Sequence, residues 1–294
     1  MYYRRKVILA LLQLFGGRLE KIRLQKLVML FCQKQEKPDY DFVPYKFGSY
    51  SFSAHADLTA MSERKFIVST EKHYDKKDKT DYLKQLKADD KKFLLELKTK
   101  FGRMSETDLM RHTYLNYPFY AIRSDAAENI LSKDELAKVN NAKPKSSKTI
   151  LFTIGYEGIS LEEYLVRLLK NDVKVLVDVR NNPLSMKFGF SKSQLKKYCE
   201  SLGIQYMHFP EVGIQSEQRQ ELNSQKDYDK LFSVYRKVNL SKTTKAQIEI
   251  LNLLKQHKRI ALTCFEADIC QCHRKHLAEA IEALPNFPYE VKHI

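Results

Sequence analysis

From Thr149 to the end, short apolar runs alternate with amphipathic stretches, and few folds accommodate that order. "TILFTIG" is continuously apolar, ends at Gly155 and reads as a strand buried on both faces. "SLEEYLVRLLK" then has helical spacing, with Ser160 as N-cap and Glu163 three residues on. "VKVLVDVR" is a second buried strand, "SKSQLKKYCESLG" a helix, and "IQYMHFP" a third strand. Two helical stretches, about 227–238 and 244–257, lead to the strand "RIALTCFE" and the helix "CHRKHLAEAIEAL". "YEVKHI" reads as a closing edge strand. The alternation predicts an α/β domain over 149–294, with three αβα layers and a mostly parallel sheet.

In open sheets of this kind, ligands bind beyond the carboxyl ends of the strands. The residues leaving those ends are Gly155, Tyr156 and Glu157, then Asp178 and Arg180, His208, and finally Cys264 and Glu266. Each exit offers a polar or ionisable group, so the rim is the candidate site.

The densest stretch is "TCFEADICQCHRKH", from Thr263 to His276, with three of the five cysteines. A metal reading would draw on Cys264, Cys270, Cys272, His273 and His276. The spacing argues against it: Cys272 and His273 are neighbours expected to diverge at a helix start, and no second Cys-x-x-Cys pair completes a tetrahedron. No metal or cofactor is therefore assigned. A nucleophile reading uses Cys264 or Cys272 near a helix N-terminus, where the dipole lowers a thiol pKa. It lacks phosphatase spacing, because Cys270 and not an arginine stands six residues after Cys264. Inert buried thiols are the leading account of Cys199 and Cys264. Glu266 and Arg274 suit acid–base work and anion binding, with a salt bridge between them as the structural alternative.

These motifs resemble the domain-of-unknown-function 488 family. The pattern stands here as Thr153-Ile154-Gly155, Asp178-Val179-Arg180, Pro183 with Ser185, Cys264-Phe265-Glu266 and Cys272-His273-Arg274. "YEG" replaces the His-Ser common after the first motif, which puts ligand contact by Tyr156 in question. The resemblance implies an α/β domain whose motif residues gather in one pocket, and it implies no established reaction.

The first half differs in kind. Val7, Ile8, Leu11, Leu12 and Phe15 share a helical face, stopped by Gly16-Gly17. The opening imitates a signal peptide, but Gln13 interrupts the apolar run and no small-residue cleavage site follows. A second helix is predicted over 21–35. "FVPYKFGSYSF" reads as an ordered loop, a third helix runs over about 53–64, and "KFIVST" with "DYLKQL" reads as a hairpin. Three helices and a hairpin predict a winged-helix-like module over 1–140, although Arg64 and Lys65 are the only basic residues near the third helix. Residues 90–140 carry a helical pattern, and "NNAKPKSSK" is the linker, centred on 141–148. "GGRLEKIRLQKLVMLFCQ" and "FVPYKFGSYSFSAHADLTAMSERKFI" resemble the Panacea domain of SocA-like antitoxins, matching at Leu24, Gln25, Lys26, Leu27, Tyr45, Lys46, Phe47 and Gly48. That resemblance implies a partner protein for this half and a place in toxin–antitoxin or phage-defence biology.

The formal net charge is +15. Lys and Arg exceed Asp and Glu by 30 to 19 in residues 1–148, and by 21 to 17 in 149–294. Such an excess suits a polyanion, with nucleic acid first. No apolar run approaches the roughly 18 residues that cross a bilayer, so no membrane partner is expected. Scattered cysteines, odd in number, fit a reducing cytoplasm. The leading expectation is a protein that acts on or senses a nucleic acid or nucleotide. Arg180 and Arg274 would hold phosphate, Asp178 and Glu266 would serve as acid and base, and His273 would relay protons. Gly155, Tyr156, Pro183 and Ser185 would line the site. The alternatives are a non-enzymatic antitoxin-like regulator, and a rhodanese-like sulfurtransferase using Cys264.

Overall fold

The computed structural model of the protein describes residues 1–215, 218 and 222–294. It divides into two compact units, Met1–Lys143 and Pro144–Ile294.

The first unit is mainly helical. It runs through α1 (Tyr3–Leu14), β1 (Arg18–Glu20), α2 (Lys21–Cys32), β2 (Val43–Tyr45), β3 (Gly48–Tyr50), α3 (Phe52–Glu63), β4 (Ile67–Ser69) and β5 (His73–Lys76). Helices α4 (Ala88–Phe101), α5 (Glu106–Asn116), α6 (Ala127–Ile130) and α7 (Lys133–Asn141) follow. Strands β1, β5 and β4 pair antiparallel in that order. Ile8, Leu11 and Leu12 of α1 pack in one core with Leu24, Leu27 and Phe31 of α2, as their spacing predicts. Arg4, Arg5 and Tyr40 all donate to buried Asp57, which pins α1 to α3.

Two local expectations need correction. "FVPYKFGSYSF" is no loop: Val43–Tyr45 and Gly48–Tyr50 form a hairpin, with Pro44 opposite Ser49. The strand that returns from β4 is "HYDK" within the charged stretch, and "DYLKQL" instead holds a 3-10 turn at Leu83–Gln85. The charged strand is possible because only Tyr74 on it is buried, while half-buried Asp75 pairs with Arg18 and Lys76 with Asp78. α7 continues to Asn141, with a capping box of Ser132 and Glu135 at its start.

The second unit is built from β6 (Ile150–Gly155), α8 (Leu161–Lys170), β7 (Val175–Asp178), α9 (Lys192–Ser201), β8 (Gln205–His208), α10 (Gln225–Val234), α11 (Thr244–His257), β9 (Arg259–Cys264), α12 (His273–Glu282) and β10 (Glu290–His293). Its five strands are all parallel, in the order β10-β6-β9-β7-β8. β6, β7 and β9 are buried at every residue, which explains why they read as unbroken apolar runs. Leu151, Val175 and Val177 pack against Ile250 and Leu254 of α11 and Leu277 and Ile281 of α12. On the opposite face of β9, Thr263 accepts a hydrogen bond from Tyr164 of α8 at 2.7 Å.

α8 begins where the sequence places it, with the Ser160 hydroxyl accepting from the Glu163 amide at 3.0 Å. Ser160→Ala is expected to lower the stability of this unit by about 1 kcal/mol. Faster amide hydrogen exchange in the first turn of α8 is the corresponding readout.

Candidate functional site

Strand register alone lines up the exits. Gly155 pairs with Cys264, Asp178 pairs with Thr263 on one side and His208 on the other, so four strand ends lie in one row. The convergence expected from the separate motifs is therefore a property of the sheet.

Asp178 lies fully buried at the centre of the row. Its carboxylate accepts from the Arg180 amide at 3.1 Å, from Arg180 Nε at 2.8 Å and Nη2 at 2.5 Å, and from the Tyr206 hydroxyl at 2.5 Å. Arg180 Nη1 donates to the Tyr156 hydroxyl at 2.8 Å and to the Phe190 carbonyl at 2.9 Å. The Tyr156 and Phe190 rings stack 4.2 Å apart. The buried carboxylate holds the guanidinium in its charged form, shifting its pKa upward against the pull of burial. Burial, and then the charge of Asp178, push the Tyr206 hydroxyl upward. Burial also raises Tyr156, although Arg180 draws it back. Arg180 thus directs its donors into the protein, as the tie between β6, β7 and the loop after β7. Asp178 sits beneath that tie and positions it.

The loop itself, 181–190, is where the cavity opens. A cavity of about 330 Å³ is walled by Tyr156, Arg180, Asn181, Asn182, Ser185 and Cys264, with Leu184, Met186, Ile214 and Phe265 adding apolar surface. The Ser185 amide donates to Ser191 Oγ, and Ser191 Oγ donates back to the Ser185 carbonyl. Pro183 is buried, and its carbonyl accepts from the Lys192 amide at the start of α9. Half-buried Lys187 donates to the Tyr156 carbonyl at 2.6 Å, and burial lowers its pKa. Gly189 has φ +88°, a conformation that a side chain would strain. His208 donates from Nε2 to the Arg180 carbonyl at 2.8 Å, leaving Nδ1 to accept from Lys192 at 2.9 Å. Pro183 and His208 therefore shape the loop, whereas Tyr156, Arg180, Ser185 and Cys264 face the cavity.

A second group of side chains meets behind Cys264. One ligand-type atom from each of Cys264, Glu266, Cys272 and His273 lies within 4.8 Å of all the others. The expectation that Cys272 and His273 diverge fails for a specific reason. Cys272 is extended (φ −126°, ψ 133°) and His273 is the first residue of α12, so the chain turns a corner between them. His273 Nε2 lies 3.0 Å from the Val179 carbonyl and Nδ1 lies 3.6 Å from Cys264 Sγ. The carbonyl can only accept, so Nε2 carries the proton. The edge of the Tyr235 ring packs on His273, carried there by a π-helical turn at Tyr235–Leu240. Burial pushes the Cys272 thiol well above its ordinary value, with Cys264 adding to the rise. Cys270 is exposed and stands outside this group.

Arg274 is tied to the backbone that follows β9. Its guanidinium donates to the backbone carbonyls of Glu266 and Ala267, and so fixes the loop after β9. Gly155 is required by that same loop. A Cβ there would come within 1.9 Å of the Glu266 carbonyl oxygen.

Residues 160–281 match the model of the family described as Domain of unknown function DUF488. No curated protein matches the chain. The DUF488 match takes in Asp178, Arg180, Pro183, Ser185, Cys264, Glu266, Cys272, His273 and Arg274. It begins after Gly155 and Tyr156, which complete the same row of strand ends. Sequence reasoning missed Asn181, Asn182 and Phe265 as wall residues. Asn181 and Asn182 directly follow the Asp-Val-Arg motif, and Phe265 lies inside Cys-Phe-Glu, so position relative to a strand end was the available signal. It also missed Phe190, a distant partner of Arg180 that no motif marks.

Proposed function

We propose that the second unit binds a nucleotide or an unpaired base of a nucleic acid, and that the first unit adds contacts to the same polyanion. The observation that carries this reading is the composition of the cavity wall. Asn181, Asn182, Ser185 and the Tyr156 hydroxyl offer neutral donors and acceptors, and Phe265 and Met186 offer flat or polarizable apolar surface. Polar edges beside apolar faces suit a heterocyclic base, and about 330 Å³ is within the range of small-ligand sites. Asp178 offsets the charge of Arg180, so the wall favours the base over the phosphate. The surplus of lysine and arginine then supplies the contacts to the backbone. The first unit supports this. Its α1-β1-α2 and α3-β4-β5 segments, with β5 between β1 and β4, resemble a winged helix into which the β2–β3 hairpin is inserted, and the exposed β4–β5 turn includes Lys72.

Labelled single-stranded DNA and RNA, followed by fluorescence anisotropy with mononucleotides as competitors, test the proposal. Asn182→Ala and Phe265→Ala are each expected to weaken binding by about 1–3 kcal/mol, the contribution of one stacked or hydrogen-bonded base. Equal binding by wild type and both variants would assign the interaction to charge alone and discard the pocket.

A second reading, a regulator that docks a partner protein, is favoured by one feature. Residues Gln25, Lys26, Tyr45, Lys46, Phe47 and Gly48 enclose a separate, mainly apolar cavity of about 220 Å³ between α2 and the β2–β3 hairpin. These are residues on which the antitoxin resemblance rests. Under that reading Tyr45→Ala abolishes partner neutralisation and leaves oligonucleotide binding intact.

A further inference from the structure

We propose that Cys264, Glu266, Cys272 and His273 bind one zinc ion through two thiolates, one imidazole nitrogen and one carboxylate. The inference goes beyond the base-binding reading and does not depend on it.

Three observations carry it. The first is convergence. The four ligand-type atoms lie within 4.8 Å of one another, and Cys264 Sγ is 3.6 Å from His273 Nδ1. A tetrahedral zinc site with ordinary bond lengths separates its ligand atoms by about 3.3–3.8 Å, so modest side-chain adjustment closes the shell. The second is the orientation of His273. Nε2 donates its proton to the Val179 carbonyl, which leaves the lone pair of Nδ1 directed at the group. Pinning the remote ring nitrogen to a backbone carbonyl is the outer-shell arrangement that zinc-binding histidines use. The third is that the scaffold holds each ligand by a separate device. Cys264 ends β9, and Glu266 lies on a loop whose carbonyls Arg274 grips. Cys272 and His273 flank the start of α12.

The ligand types select the ion. Two soft sulfur ligands with one imidazole exclude magnesium and calcium, which require oxygen, and favour zinc. Three of the four residues are buried and Glu266 is half-buried. Cys264 also forms part of the wall of the 330 Å³ cavity, so the ion would stand directly behind that wall. A metal-free cluster of hydrogen-bonded thiols and imidazole is the competing account, and the two differ in metal content.

The test uses the full chain, made without a metal-binding tag in zinc-supplemented medium and purified under reducing conditions. Elemental analysis is expected to find one zinc per chain. Cobalt(II) added to the stripped wild-type protein is expected to produce the visible d–d bands of a tetrahedral ion and thiolate-to-cobalt charge transfer. Cys272→Ser and His273→Ala are expected to lose the zinc, and Cys270→Ser to keep it. Wild-type protein with neither zinc nor a cobalt spectrum would overturn the proposal, and this result does not depend on any variant folding. Zinc retained in full by Cys272→Ser would overturn it too.

Discussion

Asp178→Asn is expected to destabilise the second unit by about 3–5 kcal/mol, the cost of leaving a buried ionic partner uncompensated. The substitution preserves shape and removes charge. Arg180 would then remain buried with its Nε and Nη2 donors facing an amide that cannot match two charge-assisted bonds. Tyr206 would keep a weaker acceptor. Arg180 also carries Tyr156 and the Phe190 carbonyl, so the loss spreads to the cavity wall. Amide exchange in β7 and β8 reads the effect within this unit, which avoids fitting a single transition to a chain of two compact units. Pairing the variant with Arg180→Gln removes the orphaned charge and should restore part of the stability. A change under about 1 kcal/mol in Asp178→Asn alone would mean that water reaches Arg180 and replaces the carboxylate.

The sheet was legible because parallel strands covered on both faces need unbroken apolar runs, and Leu151 to Ile154, Val175 to Val177 and Ile260 to Leu262 supply them. Ser160 marked the start of α8 through a purely local bond. Since the strands are parallel and in register, knowing where each one ends was enough to bring Gly155, Asp178, His208 and Cys264 together. What resisted reading depended on contacts distant in sequence or on backbone angles. β2 and β3 are three residues each, too short for alternation to register, and Pro44 inside β2 argues against a strand. The roles of Arg180 and Arg274 also could not be deduced. A guanidinium on a strand exit is equally suited to phosphate and to backbone carbonyls, and only the fold shows that Arg274 reaches the carbonyls of Glu266 and Ala267. The meeting of Cys264, Glu266, Cys272 and His273 turns on the extended conformation of one residue, Cys272, which no spacing rule encodes.

Lys26 leads to a prediction of similar size in the first unit. It lies on α2 among apolar neighbours, 2% exposed, with Nζ donating to the Ser49 carbonyl at 2.8 Å. Burial lowers its pKa to about 7, and the charge of Glu106 only partly opposes that. In the unfolded chain the same amine titrates near 10.4. Between these values the unfolded chain holds a proton that the folded chain has released, so stability rises with pH across that window. Below pH 7 both states are protonated and the contribution levels off at its most unfavourable. The full span corresponds to roughly 5 kcal/mol, of which a titration from pH 7 to 9 captures about half. Lys26→Met fills the same space without a titrating group. Subtracting its stability curve from that of the wild type cancels the thiols and tyrosines that also respond in this range. The difference should narrow steadily as pH increases, in the variant's disfavour, because only the wild type gains. Parallel curves for the two proteins would show that Lys26 keeps its charge through water entering the cavity beside Tyr45 and Phe47. The lysine would then be available to pair with an acidic group of a partner seated there.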